Sequence, residues 1–341
     1  MIFLRRLGKA MRRREFITLL GGAAAWPLVA YAQQPKRVRV IGVLHPLAES
    51  DPEARSWVNV LKQTLAALGW NDGVNISIDV RGGNGGGDVN QMRKLARELI
   101  DLHPDVLVAI TTLAVNAMLP EAQTIPIVFT LVTDPVGQRL VETMARPGGH
   151  ITGFTPFEQS VGSKWVQILK EIAPETMRAT VMSNPDVAPY YRMYMNSIEP
   201  AAAALAVKLS EAHVHNRAEI EAAMSVMARE PAAALVSMAD PFIGVHRDLI
   251  IALAAKYRLP AVYPYRFFIA EGGLISYGVD IVDIHRRTAN YVDRILKGEK
   301  TAELPVQTPS KYELAINLKT AQALGLTVPP TLLATADEVV E

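Results

Sequence analysis

The chain has 341 residues, 50% hydrophobic and 20% charged, which is typical of a globular protein with room for two domains. It has no cysteine, which excludes disulfide bonds, thiol catalysis and a lipid anchor on an N-terminal cysteine. The formal charge is +1, but residues 1–32 carry six of the 35 basic residues and one of the 34 acidic residues. Without them the net charge is −4, which argues against a nucleic-acid partner.

Residues 11–32 have the three parts of a secretory signal peptide. Arginines at positions 12–14 precede an apolar run from about Phe16 to Ala30, and Ala30 and Ala32 form an A-x-A cleavage site. The apolar run is shorter than the roughly 20 residues that span a bilayer. We therefore predict that residues 1–32 are removed and that a mature chain beginning near Gln33 is exported to the periplasm. The alternative is a buried N-terminal helix.

The export route and the start codon both stay open. Residues 13–17 (Arg-Arg-Glu-Phe-Ile) resemble the twin-arginine export motif, although a Sec signal has the same three parts. Met11 stands directly before this segment and is an alternative start to Met1. No later apolar run has transmembrane length, so we expect no direct membrane insertion.

From residue 36 onward, short apolar strands alternate with amphipathic helices. The first half predicts strands at 38–44, 74–80, 106–110 and 127–132, with helices at 52–68, 88–102 and 113–122. The pattern restarts near Gly153, with helices at 160–172, 190–205, 217–229 and 243–257 and strands at 179–183, 207–213, 234–239 and 261–263. This alternation predicts two α/β lobes with parallel sheets.

Three further pieces follow the second lobe: a strand at 274–278, a helix at 284–297 and a closing segment at 306–326. Because they remain after two complete lobes, we expect the chain to cross back and to complete each lobe in turn. The predicted first lobe is 36–154 with about 279–305, and the second is 155–278 with about 306–341. Open α/β sheets bind ligands outside the carboxyl ends of their strands, so a binding cleft is predicted between the lobes.

Several motifs occur in an order that resembles a known family. They include Thr133-Asp134-Pro135-Val136-Gly137, Ile151-Thr152-Gly153-Phe154, His246-Arg247-Asp248-Leu249-Ile250 and Gly272-Gly273-Leu274-Ile275-Ser276-Tyr277-Gly278. The set resembles the substrate-binding proteins of ABC importers, in the family that includes tryptophan- and tyrosine-binding members. The resemblance covers about residues 37–341.

The resemblance implies a fold and a mode of action. The fold is a type I periplasmic binding protein, with two Rossmann-like lobes and three crossovers. No catalysis and no cofactor are implied, and we expect a monomer. The lobes would close about a hinge on a small-molecule solute, and the closed form would meet an inner-membrane ABC permease driven by a separate ATPase.

The predicted ligand-binding residues of the first lobe follow its strands. Thr111 and Thr112 end the third strand, where hydroxyls and free N–H groups suit a ligand carboxylate, although plain capping of the next helix is equally compatible. Asp134 and Pro135 follow the fourth strand, and Asp134 either pairs with a ligand ammonium or caps a helix beginning at Pro135. Phe154, from the motif at 151–154, completes this group.

Five more candidates follow strands of the second lobe. Asn184 and Tyr190 suit a small amphipathic ligand, although a turn with core aromatics is the alternative. Asp240 precedes Pro241 as Asp134 precedes Pro135, and can accept from an amine or cap the following helix. Tyr263 and Gly278 lie at later strand ends. The ring of Tyr263 can stack there on an apolar solute. Together these residues predict a small amino-acid-like or related carboxylate ligand, and the tyrosines leave room for an aromatic ring on it.

Other sequence features do not indicate a binding site. The glycine-rich segment 82–87 has no phosphate-loop register, so it is a loop with Asp88 as helix cap. His213 and His215 lack a third ligand, so no metal site is predicted. Three other functions stay open: a ligand-sensing module for a membrane receptor, an exported α/β hydrolase without a nominated nucleophile, and a sugar-repressor-like regulator, which would carry a DNA-binding domain in place of the signal peptide.

Overall fold

The computed structural model describes residues 37–83 and 88–341, so the predicted signal peptide lies outside the described residues. Within them, residues 39–341 form one compact unit built on two sheets. The first sheet is parallel, with strand order β2-β1-β3-β4-β5. Its strands are β1 (Arg39–His45), β2 (Ile76–Gly82), β3 (Val106–Ile110), β4 (Ile127–Thr130) and β5 (Ile151–Phe154).

Helices cover the first sheet, and their starts follow from capping. The helices are α1 (Pro52–Ala67), α2 (Val89–Ile100) and α3 (Thr112–Met118). Asp51 caps α1 and Asp88 caps α2, each carboxylate accepting backbone N–H groups of the first turn. The cap predicted at Asp88 is therefore confirmed. All five residues of β3 are buried, as expected for a central parallel strand.

The second sheet has the strand order β12-β11-β10-β9-β8-β6-β7. Its ladders are parallel except for β10 against β11. Its strands are β6 (Arg178–Ser183), β7 (Lys208–His213), β8 (Ala233–Ser237), β9 (Ala261–Tyr263), β10 (Ile275–Val279), β11 (Tyr312–Asn317) and β12 (Glu338–Val340). Together the two sheets confirm the predicted α/β class with two lobes.

Helices of the second half pack around the second sheet, with one exception. They are α4 (Val161–Ile172), α5 (Tyr191–Ala204), α6 (Arg217–Met227), α7 (Pro241–Val245), α8 (Arg247–Tyr257), α9 (Phe267–Ala270), α10 (Ile281–Leu296), α11 (Leu318–Leu324) and α12 (Pro330–Thr335). The exception is α10, which packs against α1 and β4 of the first lobe. The chain therefore crosses between lobes after β5, after β10 and before β11.

Two of these crossings run side by side. The Thr155 N–H donates to the Gln307 carbonyl at 3.0 Å, and the Gln307 N–H donates to the Gly153 carbonyl at 3.0 Å. Phe154, between them, is buried and packs on Tyr291 of α10, with ring centroids 4.8 Å apart. These bonds join the two connecting segments where the lobes meet.

The structure differs from the predicted elements in three places. The predicted helix 243–257 is two helices, α7 and α8, which break at His246, where the imidazole Nδ1 contacts the Phe242 carbonyl at 2.9 Å. The predicted helix at Pro135 is wrong, because residues 135–139 form turns. The third difference is that β5, α9, α12 and β12 were not predicted, since these segments are short and carry little periodic signal.

Candidate functional site

A cavity lies between the carboxyl ends of the two sheets. Its enclosed volume is about 40 Å³, and the space that also includes its mouth and the adjoining solvent is about 490 Å³. Both lobes contribute to the lining: Pro46, Leu47, Trp57, Thr111, Leu131 and Thr133 come from the first, and Tyr190, Ala239, Asp240, Pro241, Gly244, Tyr265 and Phe267 from the second, with Ile281 at the crossing into α10. Most of these residues directly follow strands, which is where open α/β sheets place their ligands.

Four aromatic side chains line this cavity. Trp57 comes from α1, Tyr190 precedes α5, and Tyr265 and Phe267 follow β9. Tyr265 and Phe267 stack on each other with centroids 5.5 Å apart, and Trp57 meets Phe267 edge to face at 6.4 Å. Such walls favour a flat apolar group on the ligand.

Thr111 has a strained backbone at the cavity. Its φ is +78° and its ψ is 162°, a conformation that a β-branched residue rarely adopts. The residue is buried, and its Oγ1 has no hydrogen-bond partner among residues 37–83 and 88–341. Strained residues with unpaired polar groups concentrate at binding sites, so Thr111 is a strong ligand-contact candidate.

Trp57 supplies a second unpaired polar group. The residue is only 5% exposed, and its indole Nε1–H finds no acceptor within the described part of the chain. The indole also stacks on His285 of α10, with ring centroids 5.6 Å apart. Burial lowers the pKa of His285 to about 4, so this imidazole is neutral at pH 7. The unpaired N–H can therefore donate to an acceptor on the ligand.

Asp240 combines the two roles that the sequence left open. Its Oδ1 accepts from the backbone N–H groups of Phe242 and Ile243 at 2.7 and 3.3 Å, which caps α7. Its Oδ2 accepts from the Asn184 N–H at 2.5 Å. Burial raises the pKa of the Asp240 carboxyl to about 7, although these three bonds favour the charged form. The side chain also lines the cavity, where Oδ2 retains a lone pair for a cation.

Tyr190 and Asn184 have different positions. Tyr190 lines the cavity, and its hydroxyl donates to the Ala239 carbonyl at 3.3 Å. Burial raises the pKa of Tyr190 well above its ordinary value, so the phenol stays neutral. Asn184 lies behind the lining, and its Oδ1 accepts the Asp186 N–H in a turn. Asn184 therefore positions Asp240 through its backbone.

Asp134 and Pro135 lie outside the cavity lining. Asp134 has φ +38°, and its Oδ1 accepts the Gly137 N–H at 2.8 Å. This bond closes a turn, and no helix begins there. The prediction that Asp134 caps a helix is therefore wrong. A Cβ on Gly137 would lie 2.0 Å from the Asp134 carboxylate, which shows how tightly the turn is closed.

The other sequence candidates also lie behind the lining. Thr112 is the buried first residue of α3, and Phe154 packs at the lobe crossing. Tyr263 is buried and stacks on Phe268 with centroids 4.9 Å apart. Gly278 allows a close approach: a Cβ there would lie 1.7 Å from the Pro264 carbonyl oxygen. Gly278 thus fixes the segment that carries Tyr265.

The sequence missed several lining residues. Leu47 and Trp57 follow β1, and Phe267 follows the Tyr263-Pro264-Tyr265 segment. Trp57 had the helical spacing of core residues, so its hydrophobic period alone predicted burial and not a ligand contact. For Leu47 and Phe267 the available signal was position, because both lie just beyond a strand's carboxyl end, whereas Trp57 lies within α1.

Polar contacts bridge the lobes beside the cavity. The Arg247 guanidinium, at the start of α8, donates to the Asp51 carboxylate from Nη2 at 2.8 Å and to the Glu271 carboxylate from Nε at 2.7 Å. The lobes are therefore in contact around the cavity.

Within the described residues, no group of three or more His, Asp or Glu side chains could hold a metal ion. In the same part of the chain, no helix combines the length and the apolar character that crossing a membrane requires.

Comparison with known proteins identifies the family. The model of the family described as "ABC transporter substrate binding protein" matches residues 41–340. The chain belongs to this family. Its members bind solutes and are not enzymes, so the hydrolase alternative is set aside.

Individual relatives agree with this assignment. The tyrosine-binding protein of Clostridioides difficile (strain R20291) is 24% identical over 264 residues, which are 77% of this chain and 75% of the relative. A conserved domain protein from Vibrio cholerae is 30% identical, with a TM-score of 0.81 over 89% of this chain and all of the other. A Streptococcus ABC domain in complex with L-Trp has a TM-score of 0.80 at 24% identity, over 89% and 100% of the two chains.

Proposed function

We propose that the chain is the periplasmic solute-binding component of an ABC importer and that it binds a small amino-acid-like ligand with an aromatic ring. The observation that carries this proposal is the composition of one cavity. It combines four aromatic side chains with the Asp240 carboxylate and with two unpaired polar groups, on Trp57 and Thr111. Each part of an aromatic amino acid then has a complementary partner.

The polar partners lie on opposite lobes. The Trp57 indole N–H and the Thr111 hydroxyl belong to the first lobe and suit the ligand carboxylate. Asp240 belongs to the second lobe and suits the ammonium, whose charge would stabilise the ionised carboxylate. The sequence offered either Asp134 or Asp240 as the partner of the ammonium, and Asp240 takes this role because Asp134 is engaged in its own turn outside the lining.

The relatives support an aromatic amino acid. One is described as a tyrosine-binding protein, and another structure contains L-Trp. More distant structures contain sugars, at 14% identity or below, and they share the fold alone. The aromatic walls of this cavity favour the first group of ligands.

The lobe boundaries and the closing motion are part of the proposal. The first lobe comprises residues 36–154 with about 279–305, and the second comprises 155–278 with about 306–341. The lobes part about the paired segments at Gly153–Thr155 and Gln307 to admit the ligand. The monomeric closed form then meets the permease, which a separate ATPase drives. Residues 1–32 direct export and lie outside the described structure.

A thermal-shift panel tests the ligand class. L-Tyrosine, L-tryptophan and L-phenylalanine are compared with tyramine, which lacks the carboxylate, and with 3-(4-hydroxyphenyl)propionate, which lacks the amine. A ligand at 100 times its Kd stabilises the folded state by about 2.7 kcal/mol. We expect the intact amino acids to raise Tm most. If none of the three amino acids raises Tm, the proposal is contradicted.

A further inference from the structure

A buried ion pair joins the two lobes beside the cavity but outside its lining. The Arg247 side chain is 8% exposed and lies 2.8 Å from the Asp51 carboxylate and 2.7 Å from the Glu271 carboxylate. Asp51 belongs to the β1–α1 connection of the first lobe, whereas Arg247 and Glu271 belong to the second. The contact with Asp51 is therefore the one that a relative motion of the lobes would break.

Each end of this pair is attached to a wall of the cavity. The other oxygen of Asp51 caps α1, the helix that carries Trp57. On the second lobe, the guanidinium carbon lies 5.5 Å from the centroid of the Phe267 ring, and Nη1 donates to the Gly244 carbonyl at 3.1 Å. Trp57, Phe267 and Gly244 all line the cavity.

We propose that Arg247 is a positioning residue for ligand capture, holding Trp57 and Phe267 at their closed spacing and slowing ligand release without contacting the ligand. Arginine suits this task because its planar fork binds two carboxylates and a carbonyl while its face packs on a ring. Lysine has one compact charge and cannot make these contacts together.

The effect on lobe closure comes from Asp51 alone, because the Arg247 contacts with Glu271 and Gly244 lie within the second lobe and are lost in open and closed forms alike. In the closed form, removing the guanidinium leaves the Asp51 carboxylate buried without its partner, which is costly. In an open form, water solvates Asp51 with or without Arg247. Loss of Arg247 therefore shifts the population towards open forms and speeds dissociation, while association changes little.

The first experiment needs no ligand. The chain has no cysteine, so Ala66→Cys on α1 and Ala255→Cys on α8, both exposed, can carry a specific pair of spin labels. Electron-electron resonance then measures the distance distribution between the lobes. We expect Arg247→Gln to move the distribution to longer and broader distances and Arg247→Lys to lie between it and the parent.

Arg266→Gln is the matched control. Arg266 pairs with Glu313 and Glu338, which belong to the same lobe, so its loss should leave the distribution unchanged. If Arg247→Gln leaves the distribution as narrow as Arg266→Gln does, the inference is overturned. Should Arg247→Gln fail to fold, Asp51→Ser removes the same contact, since serine retains the helix cap but is too short to reach Arg247.

The second experiment rests on the proposed function and uses L-tryptophan as probe. Stopped-flow displacement should give an off-rate at least about tenfold faster for Arg247→Gln, with an on-rate within about threefold of the parent. Asp51→Ser should match it, and the double variant should add little. Equal off-rates in parent and variants overturn the inference. If no aromatic amino acid binds the parent, the proposed function fails, while the label distances still decide the role of Arg247.

Discussion

The Trp57 and Phe267 rings meet edge to face across the cavity, with centroids 6.4 Å apart and planes inclined at 62°. One ring comes from α1 of the first lobe and the other from the segment after β9 of the second. Because each ring belongs to a different lobe, their contact is made only when the lobes are together. The ligand site is thus shared between lobes, and its affinity depends on residues of both.

Trp57→Phe should weaken the binding of amino acids and leave the walls intact. The substitution keeps an aromatic ring but removes the unpaired indole N–H. A buried donor that meets a ligand carboxylate contributes about 1–3 kcal/mol, so Kd should rise roughly 5- to 150-fold. Titration calorimetry with L-tyrosine and tyramine checks this, because tyramine has no carboxylate and should be unaffected.

Trp70→Phe is the comparison for that substitution. Its indole N–H donates to Asp293 at 2.8 Å, away from the cavity. Affinity for L-tyrosine should be unchanged in this variant. Equal losses in both tryptophan variants, or a loss for tyramine as large as for tyrosine, would show that Trp57 does not contact the carboxylate.

Asp240 should make affinity depend on pH. Burial raises the pKa of its carboxyl to about 7, so below that pH the ligand-free site is neutral and attracts an ammonium less. Affinity for L-tyrosine should therefore rise by about tenfold per pH unit at most between pH 5.5 and 7, and then level off. Asp240→Asn should bind weakly at each pH, with a flat profile. A steep profile in that variant would assign the titration to another group.

The same carboxyl should affect the stability of the ligand-free chain. The folded state retains its proton up to about pH 7, whereas an unfolded aspartate releases it near its ordinary pKa of about 3.9. This contribution to stability is complete below pH 4 and is lost as pH rises towards 7. Urea unfolding of Asp240→Asn should lack this component. Identical pH dependences in the two chains would contradict the assigned shift.

Thr111→Gly should lower ligand affinity without lowering the stability of the fold. Glycine accepts the φ of +78° without strain, so the free energy of unfolding should hold or rise by about 1 kcal/mol despite the lost methyl. Ligand affinity should fall because the hydroxyl is removed. Thr112→Gly is the control, since Thr112 is the first residue of α3 and glycine lowers helix stability there. Thermal unfolding and calorimetry on both variants test this contrast.

Two glycines near the site should respond differently to alanine. At Gly278 a Cβ would lie 1.7 Å from the Pro264 carbonyl oxygen, so Gly278→Ala should destabilise the fold by about 1–3 kcal/mol or more. At Gly244, apart from its chain neighbours and the backbone of its own helix, no described atom lies within 4 Å of a Cβ. Because Gly244 lines the cavity, Gly244→Ala should keep Tm but lower ligand affinity. Denaturation and binding measurements on the pair would show whether the two effects separate.

Export gives a prediction for residues outside the described structure. Replacing Arg13 and Arg14 with lysine should block a twin-arginine signal and should leave a Sec signal active. Intact mass of the periplasmic protein should correspond to a chain that begins at Gln33. A full-length chain recovered from the cytoplasm alone would contradict the predicted signal peptide.

The sequence by itself predicted the alternating elements, the return of the chain to the first lobe and the position of the site at strand ends. These features depend on short-range physics: the hydrophobic period of each segment, the caps at Asp88 and similar residues, and the short apolar strands. Which strand-end residues face the ligand depends on more than sequence position. Asp134 has a left-handed φ, and its side chain is engaged within its own turn. The close approach of the Pro264 carbonyl to Gly278 fixes the segment that carries Tyr265.

Only the tertiary structure brought Trp57, Tyr265 and Phe267 to one cavity and paired Asp51 with Arg247. These contacts join residues far apart in the chain, so no local pattern encodes them. They form because the carboxyl ends of the two sheets face each other where the lobes meet. Each lobe is completed by a segment of chain that returns to it. Burial between the lobes then raises the pKa of the Asp240 carboxyl and leaves the Trp57 and Thr111 polar groups without partners within the described residues.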